Sequence, residues 1–166
     1  FVSFSDQRNF AAAKARGTWA VVLDADDVFE TLGDLRACME QAPPDLDVIL
    51  ADNPGRDDAG REIERERTWV AYRRDRCRWK YRGHNQLIGF RAGAVSTARV
   101  ISNYLEKDRI ARVHRTIPLL MMDLAEFPDD PHAPFFLARS HVTLGDWPMT
   151  LRFAERTIQL APDDVG

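Results

Sequence analysis

The chain has 166 residues, 45% of them hydrophobic and 30% charged, with a formal net charge of −3, which is room for one good domain or a small domain with an appendage. No apolar run approaches the roughly 20 residues of a membrane span, and the mild acidity argues against a nucleic-acid or anionic-lipid surface. Cys38 and Cys77 are the only cysteines and have no CxxC spacing, so they read as two thiols of a reducing, cytoplasmic compartment.

In chain order, S-D-Q-R-N-F-A-A-A-K offers Ser5 or Asp6 as the N-cap of an Ala-rich helix that Gly17 would stop in the left-handed conformation. The next segment, T-W-A-V-V-L, is continuously apolar and rich in β-branched and aromatic residues, as expected of a central strand. A second helix, T-L-G-D-L-R-A-C-M-E-Q-A, runs into Pro43 and Pro44. A second strand, L-D-V-I-L-A-D-N, meets the turn signal Asn53-Pro54-Gly55. Strand, helix, strand implies parallel pairing through a right-handed crossover. Residues 61–91 are extended, aromatic and Arg-rich, and predict a β-hairpin or meander against the sheet edge. The arginines suit either an anionic ligand or pairing with Glu across strands.

From residue 105 the pattern is helical and repeats. Pro128-Asp129-Asp130 and Pro162-Asp163-Asp164 lie 34 residues apart, the tetratricopeptide period. Leu137, Ala138, Gly145-Asp146-Trp147, Ile158 and Leu160 fall at repeat positions, whereas Thr150 and Ala154 depart from them. The reading is one full repeat preceded by half of another. His114, His132 and His141 lie in this part and read as structural or surface residues.

The first strand ends in Asp24, Asp26 and Asp27. Like charges gathered at a strand end repel unless a cation lies between them, and Mg²⁺ or Mn²⁺ takes carboxylate and phosphate oxygens. An EF-hand loop fails, because Val28 and Phe29 occupy its fifth and sixth positions. A haloacid-dehalogenase-type phosphatase, with Asp24 as nucleophile, and the D-x-D of a nucleotide-sugar transferase both fit by letter. Turn and N-cap roles for the three residues need no metal at all.

The preceding residues separate these readings. Arg8, Asn9, Ala13, Gly17, Trp19, Leu23, Asp24, Ala25, Asp26 and Asp27 make the chain resemble the family 2 glycosyltransferases of the GT-A fold. Their pattern is an Arg-Asn helix followed by G-x-W-x-x-x-L-D-A-D-[ED]. Trp79, Tyr81, Gly83 and His84 extend the likeness more loosely toward W-x-Y-x-G-x-x-H-E, and one bacterial branch fuses such a domain to tetratricopeptide repeats. The resemblance implies an α/β, partial GT-A three-layer fold with a β-hairpin region over residues 1–104, followed by a TPR-like helical region over 105–166. It implies inverting, metal-dependent sugar transfer from a nucleoside-diphosphate sugar, UDP- or GDP-linked, to an acceptor. Arg8, Asn9, Asp24 and Asp26 would bind the donor, Asp26 and Asp24 would hold Mn²⁺ or Mg²⁺, and His84 is the candidate base. A protein partner would use the helices.

The chain also departs from the family. Asn85 replaces the Glu that often follows His, and I-S-N-Y-L-E-K-D has no His where another ligand is often found. The chain opens at Phe1 in mid-pattern, so the expectation is that the strands gripping the base and ribose precede it and that the fragment alone is inactive. A non-catalytic, transferase-like domain whose repeats bind a partner is the alternative.

Overall fold

The computed structural model of the chain describes residues 3–56, 61–102 and 109–162. The chain divides into two compact units. One comprises Phe1–Arg8, Trp79–Gln86 and Leu105–Gly166, and the other Asn9–Arg78 and Leu87–Tyr104. The expected boundary between residues 104 and 105, most of the I-S-N-Y-L-E-K-D segment, and Asp163 and Asp164 lie outside the described residues.

The opening helix, α1, spans Phe4–Lys14. Its cap is Ser3, whose Oγ accepts the Asp6 amide at 3.1 Å, and not Ser5 or Asp6. Ser5 turns its hydroxyl to the Ser3 hydroxyl, 2.9 Å away, in a buried contact. The helix ends three residues before Gly17, which does not adopt positive φ. Gly17 is therefore no left-handed stop, because the last turn closes earlier, with the Ala15 amide on the carbonyls of Ala11 and Ala12.

Five strands form the main sheet in the order β1-β4-β3-β7-β2: β1 (Trp19–Val21), β2 (Asp27–Thr31), β3 (Leu46–Arg56), β4 (Glu62–Arg73) and β7 (Ala92–Ser102). The six-residue helix α2, Leu35–Glu40, precedes β3. Among the described residues only β3 and β7 pair in parallel. Within this chain β1 is an edge strand, not a central one, and it does not pair with β3. Instead β4 lies between them, antiparallel to both. The Arg-rich segment thus enters the sheet interior where a hairpin against the edge was expected. Contiguity explains this: β3 and β4 are neighbours in sequence, and their ladder runs from Val48↔Tyr72 to Arg56↔Glu62.

Pro54-Gly55 is not a turn either. It lies inside β3, opposite Arg65 and Glu64. The last β3–β7 pair is Asp52↔Arg99, so among the described residues β4 is the one strand paired with Pro54, and a residue without an amide hydrogen is tolerated there. The core of this unit gathers Ile49 and Ala51 of β3, Val70 and Ala71 of β4, Ala98 and Val100 of β7, and Leu35 of α2.

Residues 78–88 contribute a separate two-stranded ribbon, β5 (Arg78–Lys80) with β6 (Gln86–Ile88). Three helices follow: α3 (Arg109–Glu126), α4 (His132–Leu144) and α5 (Trp147–Leu160). Leu120, Leu137 and Phe153, one from each helix, form their shared core. The α4–α5 junction is the one expected. Gly145 closes α4 at φ 70°, and the Asp146 side chain caps α5 by accepting the Met149 amide. No strand occurs among the described residues from 109 to 162. The whole is a mixed α/β domain followed by C-terminal helices, the layout expected of a partial GT-A fold.

Candidate functional site

After β1 the chain turns sharply. The Asp27 amide donates to the Asp24 carbonyl at 3.0 Å, an i to i+3 turn bond. Asp27 then begins β2 opposite Ser102. Its carboxylate accepts the Ser102 hydroxyl at 2.5 Å and the Asp24 amide at 3.3 Å. One of the three acidic residues is thus used to build the turn and fasten it to β7. Asp24 and Asp26 are exposed on that turn. Among the described residues no group of three His, Cys, Asp or Glu side chains is placed to hold a metal ion. A pair of carboxylates suits a hard divalent cation whose remaining ligands are substrate phosphates and water, so the donor set fits Mg²⁺ or Mn²⁺ bound together with a diphosphate.

Asn9, Asp24 and Asp26 belong to the sheet-bearing unit, and Arg8 and His84 to the helical one. Arg8 lies over the Trp79 ring, 4.5 Å from guanidinium carbon to ring centroid. Trp79 and the residues after it form a clamp that the sequence did not disclose. The amides of Arg82 and Gly83 donate to the buried Asp123 carboxylate of α3 at 2.8 and 3.1 Å, and the Arg82 guanidinium bridges Asp123 and Glu126. Tyr81 OH and Lys80 Nζ donate to Asp130 at 2.6 and 2.9 Å. A Cβ on Gly83 would meet Leu120 and Thr116 at 3.3 Å, so the backbone lies close on α3. Two non-glycine residues, Tyr81 and His84, hold positive φ, 69° and 48°, a conformation side chains resist. The hydrogen bonds to Asp123 and Asp130 hold this loop in place. A carboxylate on the apolar side of α3 was the available signal for Asp123.

Two stacks complete the clamp: Tyr81 on His132, with centroids 3.6 Å apart, and His84 on Phe136, at 4.1 Å. His84 exposes much of its area, but one face is covered. Loss of water on that face, and then the positive charges of Arg139, His132 and Arg112, pull its imidazole down to about 4. It is neutral near pH 7 and a weak base, with its exposed edge limiting the depression. Burial likewise lowers His132. Burial pushes the Asp130 carboxyl up, but the hydrogen bonds from Tyr81 and Lys80 outweigh it and hold the carboxyl below its ordinary value. The Asn85 Nδ2 is buried with no hydrogen-bond partner among the described residues.

Several arginines of residues 61–91 have structural partners. Arg76 and Arg91 donate to the fully buried Asp47 at 2.8 and 2.9 Å and to the Pro44 carbonyl. Arg73 stacks on Trp19, 4.5 Å from its centroid. At these positions the Arg-rich composition is explained by intramolecular contacts and not by an anionic ligand.

With this geometry established, comparison with known proteins adds one finding. The sequence model of glycosyl transferase family 2 matches residues 3–104, a span that contains the Asp24–Asp27 turn and the Trp79–His84 loop. No curated protein matches the chain.

Proposed function

Because the chain belongs to glycosyl transferase family 2, whose business is sugar transfer from nucleotide-sugar donors, we propose that it serves an inverting, metal-dependent transfer in which Asp24 and Asp26 hold Mn²⁺ or Mg²⁺ on the diphosphate of a UDP- or GDP-linked sugar. One observation carries this reading: Asp27 ties the turn by its own carboxylate, while Asp24 and Asp26 are exposed on it. A bound metal would supply charge neutralisation on the leaving diphosphate. Arg8 and Asn9, one turn of α1, contribute to the donor side. His84 stands as the base, neutral at pH 7 but weak. Residues 1–104 form the transferase part of a cytoplasmic bacterial enzyme, and residues 105–166 its TPR-like part, through which a protein partner binds. No helix among the described residues is long and apolar enough to cross a membrane.

A second reading, a non-catalytic transferase-like domain, is favoured by Asn85, an amide with no titratable group to serve as a base. Calorimetric titration of UDP and of GDP into the chain, with and without Mn²⁺, separates the two. The transferase reading expects Mn²⁺-dependent binding of one nucleotide that Asp26→Ala weakens by at least about tenfold, since even the outer partners of metal ligands are worth about 10- to 100-fold in affinity. Equal binding by the variant would remove Asp26 from the site. Absence of Mn²⁺-dependent binding would favour the non-catalytic reading.

A further inference from the structure

The first and last strands in the order β1-β4-β3-β7-β2 are consecutive in sequence. The chain therefore passes from one end of that order to the other between Val21, where β1 ends, and Asp27, where β2 begins. Asp24 and Asp26 lie within this passage, and it has no slack. In a flat sheet, four strand spacings of about 4.8 Å would hold β1 and β2 about 19 Å apart. The extended steps from Val21 to Asp24 reach about 10–11 Å, and the turn from Asp24 to Asp27 adds at most about 7 Å. Together they fall short, so the sheet's ends must curl toward each other. The segment that carries the carboxylate pair is the strap that closes them.

Both ends of the strap are tied. At one end the Val22 amide donates to the Val70 carbonyl, beside β1, at 2.9 Å. At the other end the tie is a side-chain pair set by register. Phe29 of β2 lies opposite Val100 of β7, and both belong to the core of the sheet. Two residues before Phe29 and two after Val100, on the same face, Asp27 lies opposite Ser102. A slip of one residue would turn these side chains to the other face, so the core contact of Phe29 decides which residue meets Asp27. The Ser102 hydroxyl donates to Asp27 Oδ1 at 2.5 Å, and Asp27 Oδ2 accepts the Asp24 amide at 3.3 Å. One carboxylate thus links a hydroxyl on β7 to the backbone of Asp24. Ser102 is itself exposed, so its side chain fills no part of the core.

We propose that Ser102 is a positioning residue for the metal–diphosphate site: acting through Asp27, its hydroxyl holds the turn from which Asp24 and Asp26 would share a cation. The inference rests on the transferase reading of that pair and deepens it. The tests use the 166-residue chain and its Ser102→Ala, Ser102→Thr and Asp27→Ala variants. With neither metal nor nucleotide present, amide exchange followed by NMR is expected to be at least about fivefold faster at Asp24 in Ser102→Ala than in the wild type, the worth of one hydrogen bond, and unchanged at Val22. In calorimetric titrations of UDP and of GDP with Mn²⁺, Ser102→Ala should weaken binding about three- to tenfold, no more than direct supports of metal ligands are worth, and Ser102→Thr should restore it. In an Asp27→Ala background Ser102→Ala should add nothing, because the hydroxyl then has no carboxylate to hold. The urea unfolding midpoint of Ser102→Ala should match the wild type. Unchanged exchange at Asp24, wild-type nucleotide binding by Ser102→Ala, no restoration by Ser102→Thr, an additive loss in the Asp27→Ala background, or a binding loss that accompanies a lowered urea midpoint each overturns the positioning role and leaves the transferase reading standing. Absence of Mn²⁺-dependent nucleotide binding by the wild-type chain overturns both.

Discussion

Asp47 shows how one side chain can account for part of a compositional feature, two arginines of the Arg-rich segment. It is fully buried, accepts the Arg91 amide at 3.0 Å, and is held by the guanidinium groups of Arg91 and Arg76 at 2.9 and 2.8 Å. The Arg91 hydrogen bonds come first in holding its carboxyl well below the ordinary carboxylate range; burial opposes them, and Arg76 adds to them. A carboxyl lowered on folding stabilises the fold above its unfolded value, near 4, and that contribution is lost as pH falls below 4 toward the folded value. Asp47→Asn is therefore expected to cost about 2 kcal/mol at pH 7, the worth of charge-assisted hydrogen bonds to a buried group. Its deficit in urea unfolding should shrink steadily below pH 4. A deficit independent of pH would mean that packing, and not charge, is what Asp47 supplies. His84 gives the second expectation at this scale. Its depressed imidazole should stay neutral at pH 6 in an NMR titration, whereas an ordinary histidine there is mostly protonated. The sequence showed the Asp24–Asp27 cluster and His84, because spacing and residue type are local. It did not show that Asp27 would be used for the turn, since Ser102 lies 75 residues away. The Asp123 clamp on residues 82 and 83 was hidden for the same reason: its partners are some 40 residues apart.

Among the elements, those with both ends marked by local chemistry were readable. Gly145 and Asp146 stop one helix and start the next, as glycine and aspartate do at such junctions. The sheet was misread on two counts: β4 pairs with its neighbour β3 and also with the distant β1, which puts it in the interior, and Pro54-Gly55 continued β3 because β4 stays paired with it there. Two glycines with positive φ make the distinction measurable. At Gly145, φ is 70° and a Cβ would meet nothing within 4 Å, so Gly145→Ala is expected to cost only the left-handed strain, about 1–2 kcal/mol. At Gly33, φ is 47° and a Cβ would lie 2.4 Å from Thr97 Oγ1 and 2.6 Å from the Thr97 carbonyl carbon. The neighbouring Asp34 accepts the Thr97 amide at 2.7 Å, which prevents the two segments from separating. Gly33→Ala should therefore cost more, about 2–4 kcal/mol, and lower the melting temperature further than Gly145→Ala does. Equal losses would mean that the Gly33–Thr97 contact gives way without cost.

At the scale of the whole molecule, the sequence suggested a clean succession of an α/β part and then a helical part, but one unit is assembled from three stretches of chain: Phe1–Arg8, Trp79–Gln86 and Leu105–Gly166. The middle stretch is not an accessory. It supplies the amides of Arg82 and Gly83 to Asp123 and the donors of Lys80 and Tyr81 to Asp130. It also lays His84 and Tyr81 on Phe136 and His132. The first stretch joins it through the Phe4 amide on the Arg82 carbonyl at 3.4 Å and Arg8 on Trp79. Helices α3 to α5 alone would keep their common core of Leu120, Leu137 and Phe153, but Leu120 would lose its contact with Gly83 and Asp123 would be left among apolar neighbours without its donors. A helical stack this short already depends on its neighbours for stability, and each lost charge-assisted bond is worth about 1.5–3 kcal/mol. A fragment of residues 105–166 is accordingly expected to show weaker helical circular dichroism at 25 °C than the same helices in the whole chain, and to melt broadly. Adding a peptide of residues 77–88 in trans should recover part of the signal, and the same peptide should do nothing for an Asp123→Leu fragment. Cooperative melting of the bare fragment at the temperature of the intact chain would show that the loop is merely seated on helices that fold without it.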